Sequence, residues 1–192
     1  MLIMQEKKRC AWVPLKNPEY VKYHDEEWGV PVYNDKKFFE MLILEGAQAG
    51  LSWETILKKR KGYAKAFKGF DVNIVAAMSD DELQSLMQNP EIIRNRLKIF
   101  SARKNALAFI NIQKEFGSFS NYIWAFVDNK PIVGNRQSIS QVPAKTDISE
   151  KISKDLKKRG MSFVGATIIY SYMQAVGLVN DHTTDCWKFF AD

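Results

Sequence analysis

Apolar positions recur at helical spacing along much of the chain, and the pattern is clearest between residues 38 and 53. One face of this predicted helix carries, at intervals of four, three and four residues, Phe38, Leu42, Glu45 and Ala49. Glu45 is the only charged residue in segment 41–53, and it lies on the apolar face. A buried carboxylate is costly unless it is paired or hydrogen-bonded. The segment therefore predicts either a pocket wall that holds a negative group or a core helix in which Glu45 pairs with an arginine or lysine.

Similar apolar periodicity continues along the chain, separated by capping and stop signals. Asp35 is placed to cap the helix that runs through Phe38 to about Gly50. Two segments, Ser79-Asp-Asp-Glu82 and Asp147-Ile-Ser-Glu150, have the pattern of a capping box. Together with stops at glycine and proline, these signals predict helices over residues 53–67, 79–88, 92–116, 118–127, 147–160 and 164–176.

Two stretches lack this periodicity. The aromatic N-terminal region is interrupted by prolines and glycines, which indicates turns and short helices. Residues 128–146 contain Pro131, Gly134 and Pro143 and are expected to form a long connection. The chain has no sustained period-two alternation, repeat or low-complexity tract. The predicted class is therefore all-α, in a single domain over residues 1–192 whose residues 1–8 form an extension that can be disordered.

The charge balance is basic, with 28 Lys and Arg against 22 Asp and Glu, a net charge of +6. This favours an anionic partner, with nucleic acid ahead of a membrane surface. The basic residues cluster in three runs, each of which alone is typical of a solvated face: residues 7–9, 58–61 and 157–159. Residues 160–180 contain no charged side chain, but scattered polar residues and glycines favour a buried core helix over a membrane span.

Cysteine and histidine occur twice each, as one pair near each end of the chain. Cys10 and His24 lie near the N-terminus, and His182 and Cys186 are four residues apart, on one face if their segment is helical. These residues supply a Cys2His2 set that suits zinc and leaves no open coordination position, so the predicted ion is structural. The alternatives are a Cys10–Cys186 disulfide or four unrelated residues. Two cysteines and no visible secretory signal indicate a reducing compartment, and the expected location is the cytoplasm.

Several longer motifs fall in a specific order between about residues 9 and 187. They are Trp12, Tyr20-Val-Lys-Tyr23-His24-Asp25, Glu27-Trp28-Gly29-Val30-Pro31, Leu44-Glu45-Gly46, Gln48-Ala-Gly-Leu-Ser-Trp53, Ile92-Ile-Arg94-Asn-Arg96 with Lys98-Ile99, Gly160 with Phe163-Val-Gly165, and Gly177-Leu178 with Asp181-His182 and Cys186. In these motifs the chain resembles the 3-methyladenine DNA glycosylase I family of bacterial DNA repair enzymes.

The resemblance implies a helix-hairpin-helix DNA glycosylase fold with a zinc snap made by the Cys and His set. It also implies a monomer that hydrolyses the N-glycosidic bond of 3-methyladenine in alkylated duplex DNA. Glu45 would be the carboxylate that recognises the base, ionised and hydrogen-bonded to it as it departs. The aromatic residues around the pocket would be Trp53, Tyr20, Tyr23, Trp12 and Trp28. The DNA-contacting residues would be Arg94 and Arg96 near the hairpin, Gly50, and Leu51, which would enter the duplex beside the flipped nucleotide.

The sequence departs from the family pattern in the predicted hairpin, where many members carry Gly before the Ile-Ile pair and this chain has Glu91. A carboxylate there opposes a DNA phosphate unless it points away, and Pro90 removes one backbone donor. No Asp occurs between Asp81 and Asp128, although many helix-hairpin-helix glycosylases use an Asp after the hairpin to support the sugar cation. This absence fits a labile substrate that needs selection and modest electrostatic help.

Two non-enzymatic functions remain as alternatives. The first is a zinc-stapled helical module that binds duplex or damaged DNA without cutting it. A buried carboxylate argues against this interpretation, because a protein that binds only the DNA backbone has no use for one. The second is an RNA-binding zinc protein, which rests only on the basic charge and the aromatic content.

Overall fold

The computed structural model describes residues 7–189, and α-helices dominate this part of the chain. The helices are α1 Pro18–Glu26, α2 Asp35–Gln48, α3 Trp53–Ala66, α4 Val72–Ala77, α5 Asp80–Ser85, α6 Arg96–Phe116, α7 Phe119–Trp124, α8 Asp147–Lys158 and α9 Ala166–Ala175. Two strands of two residues each, β1 Ile132–Val133 and β2 Val179–Asn180, pair in parallel. The predicted all-α class is confirmed. The two strands are too short to produce a period-two alternation of apolar residues in the sequence.

Helix α2 lies at the centre of the fold. Nine of its fourteen residues are buried, and α3, α6, α7 and α9 pack around it. A stack of aromatic rings fills the space beside it. The rings of Phe109 and Phe119 lie parallel with centroids 4.1 Å apart, and Phe39 meets Phe109 edge-on at 5.3 Å. Burial of each such side chain contributes about 1.5–3 kcal/mol, so this layer holds α2 in place.

The N-terminal cap of α2 differs from the prediction. Asn34 is the cap, since its side chain accepts a hydrogen bond from the backbone N of Lys37 at 3.0 Å. The carboxylate of Asp35 accepts instead from the backbone N of Phe119 and of Ser120, at 2.8 and 2.9 Å. Asp35 thus stabilises the first turn of α7, far away in sequence, where a negative charge is favourable.

Helix α8 is also capped by different residues from those predicted. Thr146 and Ser149 form the capping box, in which each side chain accepts from the other's backbone N. Glu150, the expected partner in the box, pairs with Lys145 instead. The predicted helix is therefore present, but its cap lies one residue earlier than expected.

A hairpin turn joins α5 and the 3-10 turn Leu86–Gln88 that follows it to α6. The long helix was predicted to begin at Ile92, but it begins at Arg96 because Asn95 caps it by accepting from the backbone N of Lys98 at 3.1 Å. Ile92 is buried within the turn, and the backbone N of Ile93 donates to the hydroxyl of Tyr63 at 3.2 Å. These contacts form the helix-hairpin-helix that the family resemblance implied.

The two ends of the described chain lie together. The backbone N of Trp187 donates to the carbonyl oxygen of Lys8 at 2.9 Å. The segment that holds His182 and Cys186 is not helical, so these two residues do not share a helix face. They flank a turn in which the backbone N of Cys186 donates to the Thr183 carbonyl at 2.8 Å. Residues 1–6 of the predicted N-terminal extension lie outside the described residues. Within residues 7–189, no helix has the length and apolar character that crossing a membrane requires.

Candidate active site and metal centre

A cavity of about 210 Å³ opens between α1, α2, the start of α3 and α9. The residues that line it are Trp12, Tyr20, Tyr23, Trp28, Glu45, Gln48, Trp53, Ile139, Val142, Ser171 and Gln174. The structure therefore brings Glu45 together with all five aromatic residues predicted for the pocket. Asn17 caps α1 and Ser52 caps α3. These caps fix where each helix begins, and therefore the positions from which Tyr20, Tyr23 and Trp53 project into the cavity.

Glu45 has only 4% of its surface exposed, and its Oε2 atom has no hydrogen-bond partner in the described part of the chain. No lysine or arginine among residues 7–189 pairs with it, so the interpretation of Glu45 as a paired core residue is wrong. Burial raises the pKa of Glu45 to about 8. In this environment the carboxyl group holds a proton at neutral pH, whereas a cation placed beside it would favour the ionised form.

Aromatic rings surround this carboxyl group in a continuous chain of contacts. Trp53 and Tyr23 have ring centroids 5.0 Å apart, Tyr23 meets Tyr20 at 6.5 Å, and Tyr20 meets Trp12 at 5.8 Å. The indole N–H of Trp53 is buried without a partner. Burial raises the pKa of both tyrosines, which keeps their hydroxyl groups protonated. The cavity thus presents ring faces, an unpaired donor and an unpaired acceptor, a combination that suits a flat heteroaromatic ligand.

Some cavity residues were not predicted from the sequence. Gln48 lies one turn after Glu45, and Ser171 and Gln174 lie one turn apart on α9. Helical spacing therefore indicates that Gln48 shares a face with Glu45 and that Ser171 shares one with Gln174. Ile139 and Val142 come from the connection between α7 and α8, and local sequence carries no sign of their position.

Gly50 and Leu51 form the outer edge of the site. A second cavity, of about 310 Å³, shares Glu45, Gln48 and Ser171 with the first and is bounded by these two residues. Leu51 keeps 41% of its surface exposed, and Gly50 has a φ of +78°, which favours glycine. The ammonium group of Lys98 donates to the carbonyls of Ala47 and Ala49 at 2.8 and 2.6 Å and so anchors the preceding end of α2.

The hairpin shows how the chain accommodates its unusual Glu91. The Glu91 carboxylate pairs with Lys65 of α3 at 3.4 Å. The backbone N of Glu91 donates to the side chain of Asn89 at 2.8 Å. Gly62 is required beneath it, because a Cβ atom there would lie 2.3 Å from the Glu91 carbonyl oxygen. Both the charge and the backbone donor of Glu91 are thus satisfied within the protein.

Arg94 and Arg96 lie exposed at the end of the hairpin and the start of α6. The guanidinium group of Arg96 lies 4.2 Å from the ring centroid of Phe100. No carboxylate among residues 7–189 forms an ion pair with either arginine, so both positive charges are available at the surface.

The four predicted metal ligands come together from both ends of the chain. Cys10, His24, His182 and Cys186 are all buried, and one donor atom from each lies within 4.8 Å of the others. The His182 Nδ1 atom is 3.5 Å from the sulfur of Cys10 and 3.6 Å from that of Cys186, whose sulfur is 3.5 Å from His24 Nε2. Tetrahedral zinc with Zn–S of about 2.3 Å and Zn–N of about 2.0 Å places S and N roughly 3.5 Å apart. The residues therefore fit zinc.

The remaining ring nitrogens of both histidines are hydrogen-bonded in the manner of metal ligands. Nδ1 of His24 lies 2.8 Å from the carboxylate of Asp25, and Nε2 of His182 lies 3.1 Å from the carbonyl oxygen of Trp28. Each ring thus donates outward and turns its other nitrogen toward the cluster. Both cysteines are free, so the alternative of a disulfide is wrong.

The two thiols interact strongly. Their mutual hydrogen bond raises the pKa of Cys10 and lowers that of Cys186, because two adjacent thiolates repel each other and share one proton. A divalent cation between them would remove this conflict by compensating both negative charges.

The family model described as "Methyladenine glycosylase" matches residues 12–189. The chain is 48% identical over 179 residues to DNA-3-methyladenine glycosylase 1 of Escherichia coli, which is 93% of this chain and 95% of that protein. A crystal structure of 3-methyladenine DNA glycosylase I shares 48% identity, with a TM-score of 0.91 over 94% of this chain and 98% of the other. A Staphylococcus aureus 3-methyladenine DNA glycosylase I, whose structure describes 3-methyladenine recognition, shares 38% identity and a TM-score of 0.88 over 90% and 92% of the chains. This chain belongs to the methyladenine glycosylase family.

Proposed function

We propose that this protein is a monofunctional DNA-3-methyladenine glycosylase of base-excision repair. It hydrolyses the N-glycosidic bond of 3-methyladenine in alkylated duplex DNA, releases the base and leaves an abasic site. It acts as a single-domain monomer in the cytoplasm. The observation that carries the proposal is the unpartnered carboxyl group of Glu45 in a cavity walled by five aromatic residues. The family match and the names of the relatives support the same activity.

The charge of the substrate explains this cavity. Methylation at N3 makes adenine cationic while it is attached to the sugar. Cation–π contact with the aromatic rings is worth up to about 2 kcal/mol when desolvated. Stacking adds about 1–3 kcal/mol per base, and flipping the nucleotide out of the duplex costs a few kcal/mol. Neutral adenine gains less from the same groups, so the damaged base is selected.

Glu45 completes this selection. A cationic base favours the ionised carboxylate, and a proton held by Glu45 is lost when the charged base enters the cavity. The carboxylate then accepts a hydrogen bond from the base. Because the base leaves as a neutral molecule, no general acid is needed to protonate it. The interactions that accelerate the reaction are those that stabilise the departing base and the sugar cation.

The exposed residues near the cavity are suited to hold the duplex. Leu51 enters the space left by the flipped nucleotide, and the positive φ of Gly50 shapes the turn that presents it. Arg94 and Arg96 contact phosphates beside the hairpin. Phosphate contacts of this kind position a protein on DNA without reading its sequence.

The Cys and His cluster serves the site as a structural metal centre. Cys10, His24, His182 and Cys186 would hold Zn²⁺ with no open position, and the ion would join the N-terminal segment to the segment after β2. Trp12 and Trp28 pack against the ring of His24, with centroids 5.2 and 6.3 Å away, so the cluster also supports one wall of the base cavity.

The proposal is tested by measuring base release from methylated duplex DNA with the wild type, Glu45→Gln and, as a control, Glu54→Gln at a half-buried position near the site, where the carboxylate pairs with Lys58. We expect the wild type and the control to release 3-methyladenine and Glu45→Gln to be at least about tenfold slower, since a hydrogen bond to a charged group is lost. No release by a folded, metal-loaded wild type would instead indicate a DNA-binding module. Equal release by all three proteins would remove the role of Glu45.

A further inference from the structure

Gln174 is a cavity residue whose side-chain amide is held from behind by a buried carboxylate. Its Nε2 atom donates to Oδ2 of Asp181 at 2.9 Å. Asp181 is 1% exposed, and it also accepts from the hydroxyl of Tyr170 and from Nε of Arg136, the latter at 3.1 Å. Gly134 makes room for this carboxylate, because a Cβ atom there would lie 1.9 Å from Asp181 Oδ1.

This arrangement determines which way the amide of Gln174 points. A carboxylate paired with a guanidinium group accepts hydrogen bonds and donates none, so the NH₂ group of Gln174 must face Asp181. The pKa of Tyr170 is raised by burial and by its bond to Asp181, so its hydroxyl remains a donor to the same carboxylate. The amide oxygen of Gln174 is left as an acceptor with no partner in the described chain, in a residue that lines the base cavity.

Three other polar side chains of the cavity have no such fixed direction, whereas the buried indole N–H of Trp53 is a fixed donor. The hydroxyl of Ser171 can donate or accept. The amide of Gln48 makes no hydrogen bond within residues 7–189, so it can turn either end toward a ligand. The carboxyl group of Glu45 accepts when ionised and can donate when protonated. Among Ser171, Gln48, Glu45 and Gln174, only Gln174 is fixed in advance by the protein as an acceptor.

We propose that Gln174 is a specificity-determining residue that accepts a hydrogen bond from the 6-amino group of the damaged base. This rests on the proposed function and extends it. In 3-methyladenine attached to DNA, N1 and N7 carry lone pairs and N3 carries the methyl group, so the 6-amino group is the sole N–H donor of the ring system. A fixed acceptor in the cavity can therefore bond only that group, whose second hydrogen is left for the carboxylate of Glu45.

The consequence is discrimination against purines that carry oxygen at position 6. A 6-oxo group placed at the same point would bring two acceptors together and leave both unsatisfied. The protein should therefore prefer 3-methyladenine to 3-methylguanine, and free 3-methyladenine to free 3-methylhypoxanthine. An unsatisfied buried pair of this kind corresponds to a preference of about tenfold to a hundredfold.

The test compares wild type with Gln174→Met, which keeps the length of the side chain and removes its amide. Two ratios are measured: the binding of 3-methyladenine over 3-methylhypoxanthine, followed by tryptophan fluorescence, and the release of 3-methyladenine over 3-methylguanine from methylated duplex DNA. We expect both ratios to fall at least about fivefold in Gln174→Met, as loss of one fixed hydrogen bond implies. Gln48→Met is the matched control, since it removes from the same cavity an amide whose direction is not fixed by a hydrogen bond within residues 7–189. It should leave both ratios within about twofold of wild type.

The possible outcomes separate this inference from the proposed function. Wild type that releases 3-methyladenine but binds the 6-oxo base equally well overturns the role of Gln174 while the enzyme assignment stands. Unchanged ratios in a folded Gln174→Met variant likewise overturn the role of Gln174 and leave the enzyme assignment intact. If Gln174→Met does not fold, Asp181→Asn supplies the second test. The asparagine side chain can accept from or donate to Gln174, so the amide of Gln174 can turn and is no longer fixed as an acceptor. Both ratios should again fall. Equal binding of the two bases by the wild type overturns the role of Gln174 even if neither variant folds.

Discussion

The imidazole Nε2 of His182 lies 3.1 Å from the backbone carbonyl oxygen of Trp28, and the two rings meet edge-on with centroids 4.6 Å apart. One residue belongs to the metal cluster and the other lines the base cavity. The segment after β2 and the turn after α1 are thereby held together. The position of the cavity wall thus depends on the integrity of the cluster.

Loss of the metal should therefore weaken both the fold and base binding. We expect about one zinc per protein by elemental analysis of a reduced preparation. Cys186→Ser should lower the melting temperature by at least about 10 °C, because loss of a structural zinc ligand costs several kcal/mol and each kcal/mol corresponds to about 2–4 °C at this size. Binding of 3-methyladenine should weaken in parallel, as measured by tryptophan fluorescence.

Thr184→Ala, an exposed change beside the cluster that removes no ligand, is the control and should leave metal content unchanged. Zinc below about half occupancy in folded wild type would contradict the structural role, since ligand sets of this kind bind zinc tightly at neutral pH.

Glu45 should make stability depend on pH in the opposite sense from an ion-paired carboxylate. Its pKa rises from 4.5 in the unfolded chain to about 8 in the folded protein. Between these values the unfolded chain loses a proton that the folded protein keeps, so the group destabilises the fold progressively as pH rises from 4.5 to 8. Glu45→Gln should be stabilising near pH 7 by up to roughly 3 kcal/mol and nearly neutral near pH 4.

Urea unfolding at several pH values measures this difference. Glu19→Gln, at an exposed position on α1, is the control and should show no comparable pH trend. A Glu45→Gln variant whose stability relative to wild type is constant from pH 4 to pH 8 would show that the carboxyl group is not desolvated.

Trp53 should contribute to substrate binding through its ring face. Its ring lies 5.0 Å from that of Tyr23 in the cavity wall. Trp53→Ala should lower kcat/KM about 5- to 150-fold, the equivalent of one base-stacking contact, and Trp53→Phe should lower it less. Trp124→Phe is the control, because its indole donates to the Val32 carbonyl at 2.8 Å outside the cavity. Trp124→Phe should reduce stability with little effect on kcat/KM. If kcat/KM fell in Trp124→Phe and not in Trp53→Ala, the stacking surface would lie elsewhere.

Leu51 should matter for duplex DNA and hardly at all for the fold. Since 41% of its surface is exposed, Leu51→Ala should change stability by no more than about 0.5 kcal/mol. Release of 3-methyladenine from duplex should fall, while binding of the free base stays close to wild type, because the side chain acts on the DNA stack. Leu107→Ala, at an exposed position on α6, should affect neither measurement. An equal loss of free-base binding in Leu51→Ala would assign Leu51 to the pocket itself.

Arg94 should contribute to DNA affinity through a phosphate. Arg94→Ala should weaken duplex binding uniformly across sequences and reduce the slope of log affinity against log salt by about 1. Lys114→Ala, in the last turn of α6, removes the same charge at the other end of that helix and should leave the slope unchanged. Equal slopes for wild type and Arg94→Ala would exclude a phosphate contact at this position.

The sequence by itself determined the local features of this protein. Helical spacing placed Glu45 on the apolar face of α2, because a face is set by residues three and four positions apart. The chemistry of two cysteines and two histidines identified the four residues that the fold brings together. The order of the motifs identified the family.

Only the tertiary structure decided which groups become partners across long distances. Asp35 was expected to cap its own helix and instead accepts hydrogen bonds from the first turn of α7. Arg60 is held by Glu27 and Glu40, and Glu45 has no partner among residues 7–189. The fixed direction of Gln174 likewise depends on Asp181, seven residues further on, beyond the end of α9. Capping and periodicity act within one or two turns of the chain, whereas the pairing of a buried polar group depends on every element packed around it.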